Sequence, residues 1–123
     1  MNSDPSPKRK MSEMISDIAI AFISVGKTPE EKRSRLTAVC SAWNMACGSP
    51  EIQRQQLDQY VDGYRQNNPA ASPSDLANIL KVMQSLVERK LELFPDDKRQ
   101  IVSSEIVMVG KDYRIEVASA TLQ

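Results

Sequence analysis

Apolar residues recur at steps of three and four along most of the chain, and this spacing is clearest between residues 72 and 94. There the apolar positions line one side of a helix: Leu76, Ile79, Leu80, Met83, Leu86, Val87, Leu91 and Phe94. Ser72, Pro73 and Asp75 are typical of a helix N-terminus with a capping box. Pro95 should end the helix, because proline disfavours the α conformation in the residue before it. We predict a helix roughly 33 Å long, around which the rest of the chain would be organised.

Three further segments combine a helical period with boundary signals. The first covers residues 11–25 and should end at Gly26. The second begins with a Thr-x-x-Glu capping box at Thr28 and should end at Gly48. The third begins at Ser49 after only a tight turn, so the second and third helices should form an antiparallel helical hairpin.

After Pro95 the apolar period changes from that of a helix to that of a strand. Residues 101–109 are rich in β-branched side chains. In residues 112–118 apolar and polar side chains alternate, which places Tyr113, Ile115 and Val117 on one face of the strand. Gly110 and Lys111 lie between the two strands, and glycine in the first position favours a type II′ hairpin turn.

These elements predict a mainly α (α+β) fold, an antiparallel bundle of about four helices with a C-terminal β-hairpin. Residues 11–123 should form a single domain, with the bundle at 11–95 and the hairpin at 101–120. Residues 1–10 are polar, basic and proline-bearing, so we expect a flexible arm. Apolar residues make up 41% of the chain and charged residues 26%, which is ordinary for a folded soluble protein.

The composition removes many catalytic chemistries. The chain contains no histidine, which is the commonest general acid–base group and a common metal ligand. Asp96 and Asp97, even with Asp112 nearby, offer too few oxygen ligands for a typical calcium or magnesium site. The four glycines form no phosphate-binding loop. We therefore expect no enzyme activity, no cofactor and no metal, and we identify no catalytic residue.

The two cysteines and the apolar segments bear on location. Cys40 and Cys47 are seven residues apart on one predicted helix, a rise of about 10.5 Å, which exceeds the roughly 7 Å limit for a disulfide. Reduced thiols favour a cytoplasmic protein. The apolar stretch at 18–25 is too short to cross a bilayer, which takes about 20 residues.

Trp43 lies in the middle of the apolar stripe of the second helix and should be buried, with a polar side chain or a backbone carbonyl accepting its indole N–H.

The hairpin carries the main functional prediction. Its first strand has apolar residues on both faces, Ile106 and Met108 on one and Val107 and Val109 on the other. A two-stranded hairpin is marginal alone, and a strand edge presents unpaired backbone groups. We predict a protein–protein interaction or regulatory module that binds a protein partner or forms a homodimer through Val107, Met108, Val109 and Tyr113. The opposite interpretation, in which the chain covers the hairpin itself, stays open.

Two tyrosines add a second candidate surface. Tyr60 and Tyr64 lie one helical turn apart on the third helix. Tyrosine supplies contact area at low entropic cost, so the pair could form part of a partner-binding surface. A pair of tyrosines at the rim of a helix is the structural alternative.

Binding of nucleic acid is the alternative function. Two basic runs would carry it, Lys8-Arg9-Lys10 in the arm and Lys32-Arg33-Arg35 on the second helix. Two features make this function less favoured: the net charge of zero, because nucleic-acid binders usually carry a basic surplus, and the aromatic content of 5%, because few side chains are present to stack on bases.

Overall fold

Four helices and two strands make up the part of the chain that the structure, a computed structural model, describes, residues 10–120. The elements are α1 (Met11–Ser24), α2 (Pro29–Ala46), α3 (Pro50–Asn67), α4 (Pro73–Leu93), β1 (Gln100–Val109) and β2 (Asp112–Ala120). The predicted α+β fold, a helical bundle with a C-terminal antiparallel hairpin, is confirmed. The predicted basic arm, except for Lys10, lies outside the described residues.

Three helices begin with the caps that the sequence predicts. The Thr28 and Ser72 side chains each accept the backbone N–H three residues on, from Glu31 and Asp75, both at 3.1 Å. The two acidic side chains bond back to the cap N–H groups, which completes both capping boxes. The Ser49 hydroxyl accepts the N–H at the same position of α3, at 3.3 Å. These local bonds set where each helix begins.

Helix α2 lies at the centre of the molecule, where it contacts α1, α3, α4 and β1. Eight of its residues are buried: Leu36, Ala38, Val39, Cys40, Ala42, Trp43, Met45 and Ala46. Helix α4 buries four residues and α3 buries none. The prediction that α4 is the central helix is therefore wrong. The buried residues of α2 lie on several sides of the helix, and Ala38, Ala42 and Ala46 follow one another at steps of four along one side, where they allow a neighbour to approach closely. The length of α4 does not determine how many neighbours it has.

Helix α1 is interrupted at Ala19, whose φ of −151° and ψ of 25° are not helical. Ala19 is buried, as are Ile18 before it and Ile23 after it. The apolar pattern predicted an unbroken helix here, because a dense apolar run does not show a local change of backbone direction.

The hairpin has the predicted turn and pairing. Met108 lies opposite Tyr113 and Ile106 opposite Ile115, so these side chains share one face. Gly110 has a φ of 65°, and no other residue within 10–120 has a positive φ. A positive φ at the first turn position alone is the signature of a type II′ turn.

A β-bulge at Val102 allows two isoleucines of β1 to face the bundle. Ile101 lies opposite Ser119 and Ser103 opposite Ala118, so β1 contains one extra residue. In an uninterrupted strand Ile101 and Ile106, five residues apart, would point to opposite faces. With the bulge both are buried, and Val102 is 66% exposed.

Candidate functional site

Side chains of α2 hold the start of the hairpin by its backbone. The Trp43 indole Nε1 donates to the carbonyl oxygen of Arg99 at 2.7 Å. The Asn44 amide donates to the Ile101 carbonyl at 2.9 Å and accepts the Ile101 N–H at 2.7 Å. Asn44 thus satisfies both backbone groups of one residue, as a neighbouring strand would. Trp43 is 1% exposed, so its predicted burial is confirmed, with a backbone carbonyl as the acceptor.

Lys90 fixes the loop that joins α4 to β1. Its side chain is fully buried, and Nζ donates to the carbonyl oxygens of Phe94 at 2.7 Å and Asp97 at 2.6 Å. The ammonium also lies 4.8 Å from the centroid of the Trp43 ring, a cation–π contact. Burial lowers the pKa of Lys90. This role of Lys90 could not be predicted, since a lysine on a helix is ordinarily solvated.

An ion pair closes the same junction. Arg99 Nη2 lies 2.5 Å from Asp97 Oδ2, with the two side chains only 14% and 15% exposed. Hydrogen bonding from the Arg99 side chain holds the pKa of Asp97 below its usual range. Asp97 is therefore engaged within the chain and largely shielded from solvent. Asp112 lies at the far end of β1, beyond the turn, so it does not join Asp96 and Asp97 in one cluster.

Both thiols of α2 are unbridged and contact the hairpin or the loop before it. Burial raises the pKa of Cys40 to about 11, an effect that a hydrogen bond with the Ser104 side chain partly offsets. Cys47 Sγ lies 3.7 Å from the carbonyl oxygen of Asp97 and 3.6 Å from that of Arg99. Burial also raises the pKa of Cys47. Neither thiol has the lowered pKa of a reactive cysteine.

The inner face of the hairpin packs on α1 and α2, and Tyr113 takes part in this packing. Its hydroxyl lies 2.5 Å from Ser24 Oγ, and the Lys32 ammonium lies 5.3 Å from its ring centroid. Ile115 and Val117 are half-buried on the same face. Tyr113 therefore contacts its own chain with both its ring and its hydroxyl.

The other predicted hairpin residues are on both faces of β1. Val107 and Val109 lie on the outer face, half-buried and 54% exposed, whereas Met108 shares the inner face with Tyr113 but is still 45% exposed. The bulged Val102 is a further exposed apolar side chain near the start of the strand, and the exposed Ser103 and Glu105 separate it from Val107. We call Val102, Val107, Met108 and Val109 the β1 surface. On the adjoining strand an exposed ion pair joins Arg114 and Glu116 at 2.9 Å, so apolar and charged side chains lie side by side.

The outer edge of β1 has unpaired backbone groups. Val109 and Asp112 flank a two-residue turn and form a hydrogen-bonded pair, and such pairs alternate with pairs whose N–H and C=O groups point outward. The backbone groups of Ser104, Ile106 and Met108 therefore point away from β2. No backbone hydrogen bond from outside the hairpin reaches them anywhere in residues 10–120.

Tyr60 and Tyr64 lie on α3, which makes no contact with the hairpin. Both are half-buried, and both line one groove with Phe22, Ile79 and Val82. The six predicted partner-binding residues thus fall into two separate regions, four on the hairpin and two on α3.

The basic run on α2 is mostly engaged within the chain. The Lys32 ammonium donates to the Gly26 carbonyl oxygen, and Arg35 Nη1 donates to that of Phe22 at 3.1 Å. Of the three, Arg33 alone is exposed with no such contact among residues 10–120. Within the described residues, no structural observation favours the nucleic-acid alternative, and Lys8 and Arg9 of the other basic run lie outside them.

Comparisons with protein-family models, with curated proteins and with solved structures found no match to this chain. Among the helices of residues 10–120, none is both long and apolar enough to cross a membrane. The same part of the chain holds no group of three or more cysteine and acidic side chains placed to bind a metal ion. The expected absence of enzyme activity and of a cofactor stays a prediction.

Proposed function

We propose that this chain is a protein-interaction module, and that the outer edge of β1 receives an extended segment of another polypeptide. One observation carries the proposal: within residues 10–120 the edge groups of Ser104, Ile106 and Met108 have no backbone partner, while the inner face of the same hairpin packs on α1 and α2. Partners commonly add a strand to such an edge, where main-chain hydrogen bonds give affinity and alternate side chains give specificity.

The β1 surface supplies apolar contact area beside that edge. Val102 and Val109 are more than half exposed, and Met108 nearly so. Met108 combines an outward N–H with an adaptable side chain, which suits a recognition position. An added strand would pair with the backbone and cover these side chains together.

Bonds from the bundle support a preorganised surface. Trp43 and Asn44 hold the backbone at Arg99 and Ile101, so the strand is positioned before a partner arrives. Preorganisation reduces the ordering cost of binding.

We also propose a cytoplasmic location, because the chain has two unbridged thiols in residues 10–120.

A homodimer is the first form of the proposal to test. Size-exclusion chromatography with light scattering over a dilution series would show a dimer that dissociates if the partner is a second copy. Met108→Pro removes an N–H that points away from β2, so it should abolish the dimer and leave the hairpin paired. Met108→Thr keeps that N–H and is the matched control.

A wild-type monomer at every concentration would exclude the second copy and leave a different protein as the partner. Peptides selected from a random library should then bind with amide shifts at Ser104, Ile106 and Met108. They should bind Met108→Thr and fail to bind Met108→Pro. Selected peptides that bind both variants equally, or that shift amides elsewhere, would contradict the proposal.

A further inference from the structure

A second region of the molecule has the features of a small-molecule site. A groove of about 310 Å³ lies where the C-terminal half of α1 meets α2, α3 and α4. Its walls are mainly apolar or aromatic: Phe22, Ala38, Tyr60, Tyr64, Ile79 and Val82. This volume is at the small end of the range of about 300–1,000 Å³ that ligand pockets occupy.

The polar groups of the groove are suited to bind an anion. Arg35 is the only charged residue in the lining, and no carboxylate faces it there. Its guanidinium is held in place, because Nη1 donates to the Phe22 carbonyl at 3.1 Å and Cζ lies 4.7 Å from the centroid of the Phe22 ring. Within residues 10–120 no other hydrogen bond from this side chain is found, which leaves Nη2 and Nε as donors.

The two tyrosine hydroxyls add neutral donors to the same groove. Neither hydroxyl has a hydrogen bond to another residue within 10–120, and both residues line the groove. Burial raises the pKa of Tyr60, and the neighbouring Tyr64 raises it further, so the Tyr60 hydroxyl keeps its proton at neutral pH. The groove therefore combines a fixed cation with two tyrosines and apolar walls.

We infer that this groove binds a small organic carboxylate with an apolar body, such as a medium-chain fatty acid. The apolar body would occupy the space between Tyr60, Tyr64, Ile79 and Val82, and the carboxylate would accept from Arg35. Guanidinium and carboxylate form strong, charge-assisted hydrogen bonds, often two at once. No residue of the hairpin lines the groove, so this site is separate from the β1 surface.

Three ligands with the same alkyl chain test the inference on the unmodified protein. Octanoate, octanol and octylammonium are titrated while the methyl signals of Ile79 and Val82 are followed by NMR. Octanoate should saturate these signals and bind at least about tenfold more tightly than octylammonium, a factor worth about 1.4 kcal/mol. Octanol should fall between the two, since it has the chain without the charge.

Two variants test the assigned residues. Arg35→Gln should weaken octanoate about tenfold and leave octanol unchanged, whereas Arg35→Lys should restore part of the affinity for octanoate. Ala38→Leu places a larger side chain in the groove and should weaken all three ligands. Each variant is first checked for cooperative thermal unfolding.

Two results would overturn the inference, and neither depends on a variant that folds. One is equal affinity of the wild-type protein for octanoate and octylammonium. The other is octanoate binding that shifts methyl signals of the hairpin, such as those of Val107 and Val109, while Ile79 and Val82 stay unchanged.

Discussion

Asn44 shows how one side chain can position a whole element. Its amide carries a donor and an acceptor, and both are used on the backbone of Ile101. Removing it would leave two backbone groups at the start of β1 without their partner, and unpaired buried groups are costly. At the residue scale, the attachment of the hairpin depends on this contact and on the indole of Trp43.

We expect Asn44→Ala to lower the free energy of unfolding by about 1–3 kcal/mol, because both hydrogen bonds to Ile101 are lost. Asn78→Ala is the control, since Asn78 is exposed on α4 and should change stability by less than about 0.5 kcal/mol. Urea denaturation followed by Trp43 fluorescence measures both. Equal stability of the two variants would show that Asn44 does not hold the strand.

Cys40 should make stability depend on pH. Its pKa is raised in the folded protein from 9.0 to about 11. The buried thiol therefore contributes stability that is complete below pH 9 and is lost as the pH rises through about 11. At about 1.4 kcal/mol per pKa unit, the loss is roughly 2–3 kcal/mol.

The measurement is the free energy of unfolding between about pH 8 and pH 11.5, for the wild type and for Cys40→Ala. Subtracting the two curves removes the contributions of Lys90 and Cys47, whose pKa values are also shifted. If the two curves run parallel, the Cys40 thiol does not cause the loss of stability at high pH.

At this scale the sequence predicted residues whose role follows from a periodic pattern. Trp43 lies in an apolar stripe, and its burial could be foreseen. Lys90 and Asn44 could not, because each bonds to backbone atoms outside its own helix. Asp97 could not, because its ion pair with Arg99 lies in a loop that has no periodic pattern. A polar residue gives no local sign of such a partner, which the tertiary fold alone supplies.

Local rules decide most of the elements. The helix starts follow from caps at Thr28, Ser49 and Ser72, and the turn follows from Gly110, so these were predicted correctly. The bulge at Val102 was missed, because the β-branched composition of the strand is the same with or without it. The central position of α2 was also missed, since it depends on how four helices pack rather than on one pattern.

Deleting Val102 should remove the bulge and turn Ile101 away from the bundle. We expect a loss of roughly 2–4 kcal/mol, comparable to the loss of a buried isoleucine side chain. Val102→Thr keeps the bulge and changes an exposed side chain, so its effect should be within about 0.5 kcal/mol. Chemical denaturation of both variants tests the role of the bulge, and a deletion variant as stable as Val102→Thr would contradict it.

Replacing each of two glycines with alanine should change the stability of the protein in opposite directions. An added Cβ at Gly63 would meet nothing within 4 Å, so no neighbouring element needs a glycine there. Gly63→Ala should stabilise the protein by up to about 1 kcal/mol through helix propensity. Gly110→Ala should destabilise it by about 1 kcal/mol or more, because Gly110 has a φ of 65°. Thermal unfolding of the two variants measures the direction of each change in stability, and changes in the same direction would contradict the prediction.

The whole molecule combines a firmly attached hairpin face with an open strand edge. Helix α2 links the two, since it packs on the other helices and also bonds to the backbone at the start of β1. The β1 surface and the groove between the helices share no residue, so binding at one leaves the other accessible.

Amide hydrogen exchange along β1, resolved by NMR in dilute protein, tests the open edge most directly. The amides of Glu105, Val107 and Val109 point to β2 and should be protected, whereas those of Ser104, Ile106 and Met108 should exchange rapidly. Uniform protection of all six amides at every protein concentration would mean that the chain covers this edge itself, and the proposed binding surface would not exist.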